Sequence, residues 1–184
     1  MDYQDEIIKH LTEFWNTEPK IYFFTKGPSH KLPYNFRILE FEPNKDRDYW
    51  IYATCCMSQE LDSKRLELFL LSNKQDEGLI EILTAVAYYH RNTAKLDLYN
   101  TVNFGKPWQN DSKCTFGYIS LPYLHGTALE NLYIDALGNI NFYWLIPITE
   151  EELLYKQNNG IEGLENLFES KSINYLNAER LSLV

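Results

Sequence analysis

Between Asp5 and Asn16 the chain sets Ile7, Ile8, Leu11, Phe14 and Trp15 at helical spacing, with Glu6, Lys9, Thr12 and Glu13 elsewhere. This pattern predicts an amphipathic helix, and Pro19 ends it. The period then shortens: "KIYFFT" at 20–25 and "NFRILEF" at 35–41 read as strands separated by a Gly27-Pro28 turn and Pro33. "YWIYATC" follows, and "ELFLLS" at 67–72 is the apolar run expected of a strand covered on both faces. From Asp76 to Arg91 the helical period returns with only a narrow polar stripe, at Glu77, Glu81, Thr84, Tyr88 and Arg91, which predicts a deeply set helix.

A turn-rich segment, "TVNFGKPW", leads into short strands near Gly117–Leu121, Leu129–Asp135 and Ile140–Ile146, with Gly138-Asn139 as a turn signal. In "IPITEEELL" Thr149 is placed to cap a helix and Glu152 to reach back to its amide, with Ile148 and Leu153 as the apolar staple. Asn159-Gly160 stops that helix, and a second short one follows with Ile161, Leu164, Leu167 and Phe168 inward. The expected fold class is α+β: a mixed, mainly antiparallel β-sheet packed with several α-helices.

Composition narrows the range of functions. With 184 residues the chain is expected to form a single domain over 1–184, able to bury about 70% of its unfolded surface without a disulfide or metal staple. Seventeen Lys and Arg against 26 Asp and Glu give a formal charge of −9, which repels phosphate backbones and anionic lipid but attracts a basic protein. Nucleic acid is not an expected partner. No apolar run approaches the ~20 residues of a membrane span. The acidic, amphipathic amino terminus lacks the pattern of a secretory signal, and the expected address is the cytoplasm. The 14 tyrosines bring large area with few torsions to freeze, suited to a core or a contact surface.

Three cysteines in such a chain point to reduced thiols. Strand alternation puts Cys55 and Cys56 on opposite faces of "YWIYATCC", where they cannot clasp one metal ion, so both are expected to be packing residues. His10, His30, His90 and His125 show no zinc spacing, and His90 near a helix end suits a cation facing the negative pole. No phosphate-cradling or nucleophile-elbow motif is present, and Glu150, Glu151 and Glu152 are where a helix N-terminus places acids anyway. No catalytic residue, metal or cofactor is predicted. Loop-borne Trp108 and Tyr123, with His125 and Asn103 as polar neighbours, are candidate partner-binding residues. Trp108 alternatively folds back as a lid on the core. Asp46, Asp48, Glu60 and Asp62 are candidate exposed acids that steer a basic ligand.

The ordered series "YATCCMS", "ELFLLS", "LIEILTAVAYYH", "TVNFGKPW", "SLPYL", "FYWLIPITEEEL", "GIEGLENLFE" and "ERLS" resembles the suppressor of fused domain from about Arg37 to Ser182. Two departures stand out: Cys56 where a glycine is expected, and Tyr99-Asn100 where a Gly-His pair is expected. Animal members carry a second domain and hold a transcription factor through an extended peptide, while stand-alone bacterial relatives serve as immunity proteins against polymorphic toxins. The resemblance, with the absent catalytic motifs, implies a non-catalytic protein-binding module that neutralises a toxin, and the acid surplus suits a basic toxin domain as its partner. The alternatives are a regulatory peptide-binding scaffold, or an enzyme using Cys55, Cys56 or Cys114 with His90 or His125.

Overall fold

The computed structural model describes residues 2–23, 31–135 and 137–184. His30, the Gly27-Pro28 turn and the end of the strand expected at 20–25 lie outside the described residues. Helix α1 (Tyr3–Trp15) buries Tyr3, Ile7, Leu11 and Trp15, one residue per turn, and ends at Asn16 in the left-handed region. Strands β1 (Lys20–Tyr22), β2 (Arg37–Phe41), β3 (Trp50–Cys55) and β4 (Arg65–Ser72) then pair antiparallel in sequence order. Helix α2 (Gly78–Asn92) follows, then β5 (Thr101–Asn103), β6 (Phe116–Ser120), the short α3 (Thr127–Glu130), β7 (Asn131–Ile134), β8 (Gly138–Ile148) and α4 (Glu150–Ser170).

Across the described residues the strands make one sheet in the order β1-β2-β3-β4-β8-β6-β5, with β7 also on β8. Only β4 and β8 run parallel. The eleven residues of β8 carry β7 along their first part and β6 along their last. The central strands are buried on both faces. Leu66, Leu68 and Leu70 of β4 and Tyr143 and Leu145 of β8 face the cluster that α2 supplies with Leu79, Leu83 and Val86. Phe69 and Leu71 of β4 and Phe142, Trp144 and Ile146 of β8 face the opposite cluster, with α1 and with Leu164 and Phe168 of α4. This double burial explains why "ELFLLS" is so nearly continuous in apolar character.

The α+β expectation holds, with local differences. The strand expected over 129–135 is a turn of helix followed by β7, and "TVN" in the segment read as turns forms β5. Gly138, at φ 85, opens β8 beyond the β7–β8 turn. Gly117 is required by close approach: a Cβ there would lie 2.6 Å from the Phe104 ring and from Leu145 Cδ1. The Thr149 capping box forms as the spacing predicts, and the two helical segments after it meet directly at Gly160, at φ 76.

Candidate functional site

Chemistry of the thiol–imidazole kind has little to work with. Strand β3 stops at Cys55 because Cys56 adopts φ 64, and this left-handed residue breaks the alternation expected of the pair. Both side chains turn to the α1 face, with the sulfurs 3.8 Å apart and Cys55 Sγ 3.9 Å from the Gln4 carbonyl. The opposite-face expectation is thereby corrected, and both thiols are fully buried. The hydrogen bond with Cys56 and burial push the Cys55 thiol well above its usual range, and burial likewise raises Cys114. High thiol pKa values disfavour the nucleophilic thiolate.

The two candidate imidazoles are held neutral. His90 is buried and its Nδ1 accepts the Leu96 amide at 3.0 Å; burial, with Lys95 and Arg91 nearby, brings its pKa down to about 4. It is therefore no cation at the helix end, and that reading is corrected. His125 lies among the rings of Phe14, Trp15 and Phe69, shares a 3.1 Å hydrogen bond with the Tyr49 hydroxyl, and is lowered to about 4 by burial and by Arg47. Among the described residues no hydrogen bond joins a thiol to an imidazole, and no cluster of His, Cys, Asp and Glu is suited to a metal ion.

Two carboxylates matter in ways the sequence concealed. Glu67 sits fully buried in β4, where its carboxylate meets Thr54 Oγ1 at 2.5 Å and accepts the amides of Met57 at 3.1 Å and Ser58 at 3.3 Å. Burial outweighs these bonds and lifts its pKa to about 8. Its place inside the apolar run from Leu66 to Leu71 is the signal the sequence offers. Glu152 is the capping acid that the sequence predicts, and it also forms a buried bidentate pair with Arg180 at 2.6 and 2.8 Å.

The candidate contact residues scatter. Trp108 is only 2% exposed, donates its amide to the Cys114 carbonyl and packs on the α2 face, so it matches the lid reading and offers no surface to a partner. Asn103 is exposed at the end of β5, where it accepts the Gly105 amide at 2.7 Å. Asp46 and Asp48 are exposed in the β2–β3 turn, which the Tyr49–His125 bond ties to the loop carrying Tyr123. Tyr123 is 47% exposed and reaches Glu165 of α4 through its hydroxyl. Asp62 is not a free surface acid, since it pairs with Arg91 and lies 3.9 Å from Lys95.

Among the described residues the sheet ends at β5, and beside this edge lies a cleft of about 490 Å³ whose lining includes Tyr89, Lys95, Tyr99, Asn103, Phe116 and Lys156. Lys156 Nζ reaches the Tyr99 carbonyl and, at 3.1 Å, Thr101 Oγ1. An end strand with unpaired backbone groups is a template for an added strand. No helix of the described residues is long and apolar enough to cross a membrane.

Comparison with known proteins places these features in context. A family profile described as "Suppressor of fused protein (SUFU)" matches residues 33–181. A crystal structure described as a SUFU homolog from Neisseria gonorrhoeae is 32% identical, with a TM-score of 0.88 over 100% of this chain and 98% of that one. The Sufu-Fu complex crystal structure matches with a TM-score of 0.73 at 15% identity, over 98% of this chain and 92% of that one. Drosophila Suppressor of Fused matches with a TM-score of 0.71 at 14% identity, over 96% of this chain and 50% of that one. No curated protein matches.

Both departures from the family pattern noted in the sequence fall at left-handed residues, Cys56 at φ 64 and Tyr99 at φ 68. Glycine is the residue such positions favour.

Proposed function

This chain belongs to the suppressor of fused family, and we propose that it works as a non-catalytic protein-binding module, one domain over 1–184, that neutralises a basic toxin by stoichiometric association. The observation that carries this reading is how the molecule divides its chemistry. Its thiols and His90 are buried, while its exposed features include a sheet edge, the half-exposed Tyr123 and a surplus of carboxylates.

The physical sequence of events follows from that division. A net charge of −9, with Asp46 and Asp48 on an exposed turn, accelerates encounter with a basic partner, an effect that salt screens. Tyr123 and, at the separate β5 edge, Asn103 supply contacts to the partner, and His125 ties the Tyr123 loop to the β2–β3 turn through Tyr49. Trp108 contributes only by holding its own loop against the core. A second reading, a scaffold that clamps an extended regulatory peptide, draws on the sheet edge at β5 and its cleft.

The test is to mix the purified chain with any basic toxin domain that a neighbouring gene encodes and follow complex formation by size exclusion and calorimetry. A one-to-one complex, loss of toxicity and an association rate that falls with salt are expected. Absence of a complex with undiminished toxicity overturns the proposal. A short extended segment that binds as tightly as the intact partner selects the peptide clamp.

A further inference from the structure

Two of the depressions among the described residues are of opposite character. The β5 cleft contains Lys95 and Lys156 and no carboxylate in its lining. A groove of about 410 Å³ along α4 is lined by Tyr123, Glu165, Asn166, Phe168, Glu169 and Tyr175, with no Lys, Arg or His. That volume lies within the roughly 300–1,000 Å³ of ordinary ligand sites. We propose that this α4 groove receives an arginine side chain of a basic partner protein, the guanidinium lying between the Glu165 carboxylate and the faces of Tyr123 and Tyr175. The proposal rests on the binding-module reading only for the identity of the protein that brings the arginine.

The groove is built on fixed parts. Glu165 Oε1 accepts the Tyr118 hydroxyl at 3.1 Å and the Tyr123 hydroxyl, and Ser120 Oγ donates to the Tyr123 oxygen at 2.7 Å. Burial and the Glu165 carboxylate raise the pKa of both phenols, so both remain donors at neutral pH. One carboxylate oxygen is thus oriented from within. Among the described residues neither Glu165 nor Glu169 forms an ion pair. The floor is equally fixed: Tyr175 packs 4.5 Å from Trp144 and 6.2 Å from Phe168 between ring centroids.

A carboxylate with a free oxygen beside aromatic faces is the complement of a guanidinium. The cation donates charge-assisted hydrogen bonds from its edge and stacks its plane on a ring. A lysine ammonium satisfies the charge but has no plane to stack, and an apolar side chain leaves two carboxylates facing it unpaired.

The test titrates the full chain with N-acetyl-arginine amide while amide chemical shifts are followed by NMR, with the neutral citrulline and phenylalanine analogues as controls. Shifts are expected to cluster at Tyr123, Glu165 to Glu169 and Tyr175. Citrulline in place of arginine, or Glu165→Gln in the protein, is expected to weaken binding about fivefold or more. The amide oxygen that Glu165→Gln introduces still accepts both phenols, so the fold is retained; Glu169→Gln, at the second groove carboxylate, whose side chain hydrogen-bonds to none of the described residues, gives an independent second reading of the same loss. Shifts spread over the acidic surface, unchanged affinity in both variants, or tighter seating of the phenylalanine analogue would each overturn the proposal. Because no toxin is present, a negative result leaves the binding-module reading standing. Conversely, failure of the toxin to bind leaves a positive arginine titration intact.

Discussion

Replacing Arg180 by methionine isolates one buried contact that fastens the chain's end to its sheet. Glu152 is fully buried, and its carboxylate accepts the Thr149 amide at 2.9 Å, the Leu183 amide at 3.2 Å and both terminal nitrogens of Arg180. Arg180 also donates to the Pro147 carbonyl at 2.9 Å. Methionine fills much of the same volume but leaves a buried carboxylate with two amide donors and no countercharge, a loss of about 3–5 kcal/mol. For a chain of this length each kcal/mol moves the melting midpoint by about 2–4 °C, so a fall of about 6–20 °C is expected by calorimetry. The residues after α4 should also become sensitive to a nonspecific protease before the rest of the chain unfolds. Adding Glu152→Leu removes the stranded charge and should recover at least half of the lost stability, although the capping box goes with it at about 1 kcal/mol. A midpoint within about 2 °C of the parent protein, or protease resistance unchanged in Arg180→Met, would refute the reasoning.

Glu67, raised to about 8 when folded against an unfolded carboxylate near 4.5, stabilises the fold fully below the unfolded value and progressively loses that contribution as pH rises through about 8. The urea midpoint of Glu67→Gln should therefore lack the decline between pH 5 and 8 that the parent shows. His90 and His125, lowered to about 4, act in the opposite direction: their contribution is present above about pH 6.5 and is lost as pH falls through about 4. An acid limb that is displaced in His90→Asn checks this. Iodoacetamide at neutral pH should leave Cys55, Cys56 and Cys114 unmodified in the native protein and label all three in urea, read by mass spectrometry. At Cys56, glycine relieves the left-handed backbone, worth roughly 1–2 kcal/mol, while deleting a small buried side chain. Chemical denaturation should place Cys56→Gly within about 1 kcal/mol of the parent, and Cys55→Gly, which relieves nothing, more than about 2 kcal/mol below it.

The elements that were legible are those whose signal is local. The faces of α1 and α2 follow from helical spacing, β4 from its apolar run, and the start of α4 from Thr149 and Glu152 alone. What escaped is what depends on distant residues. Strand β5 has three residues and exists because β6 pairs with it, and "TVN" by itself carries no strand period. Cys56 looked like one more strand residue until its left-handed φ turned it beside Cys55, although the glycine expected there was an indirect sign of that conformation. Trp108 and Tyr123 looked alike as loop aromatics, yet one is under α2 and the other half in solvent.

The sequence by itself determined the period of α1, α2 and β4, the start of α4, the acid surplus, and the family to which the ordered motifs point. Tertiary structure alone decided that "ITEEEL" and "ERLS" meet in the Glu152–Arg180 pair, that Glu67 holds the loop after β3, and that Glu165 faces two tyrosines in an open groove. The physical reason is range: hydrogen-bonded periods are set by neighbours three or four residues away, whereas burial and charge pairing are set by whichever distant segments the sheet order brings together.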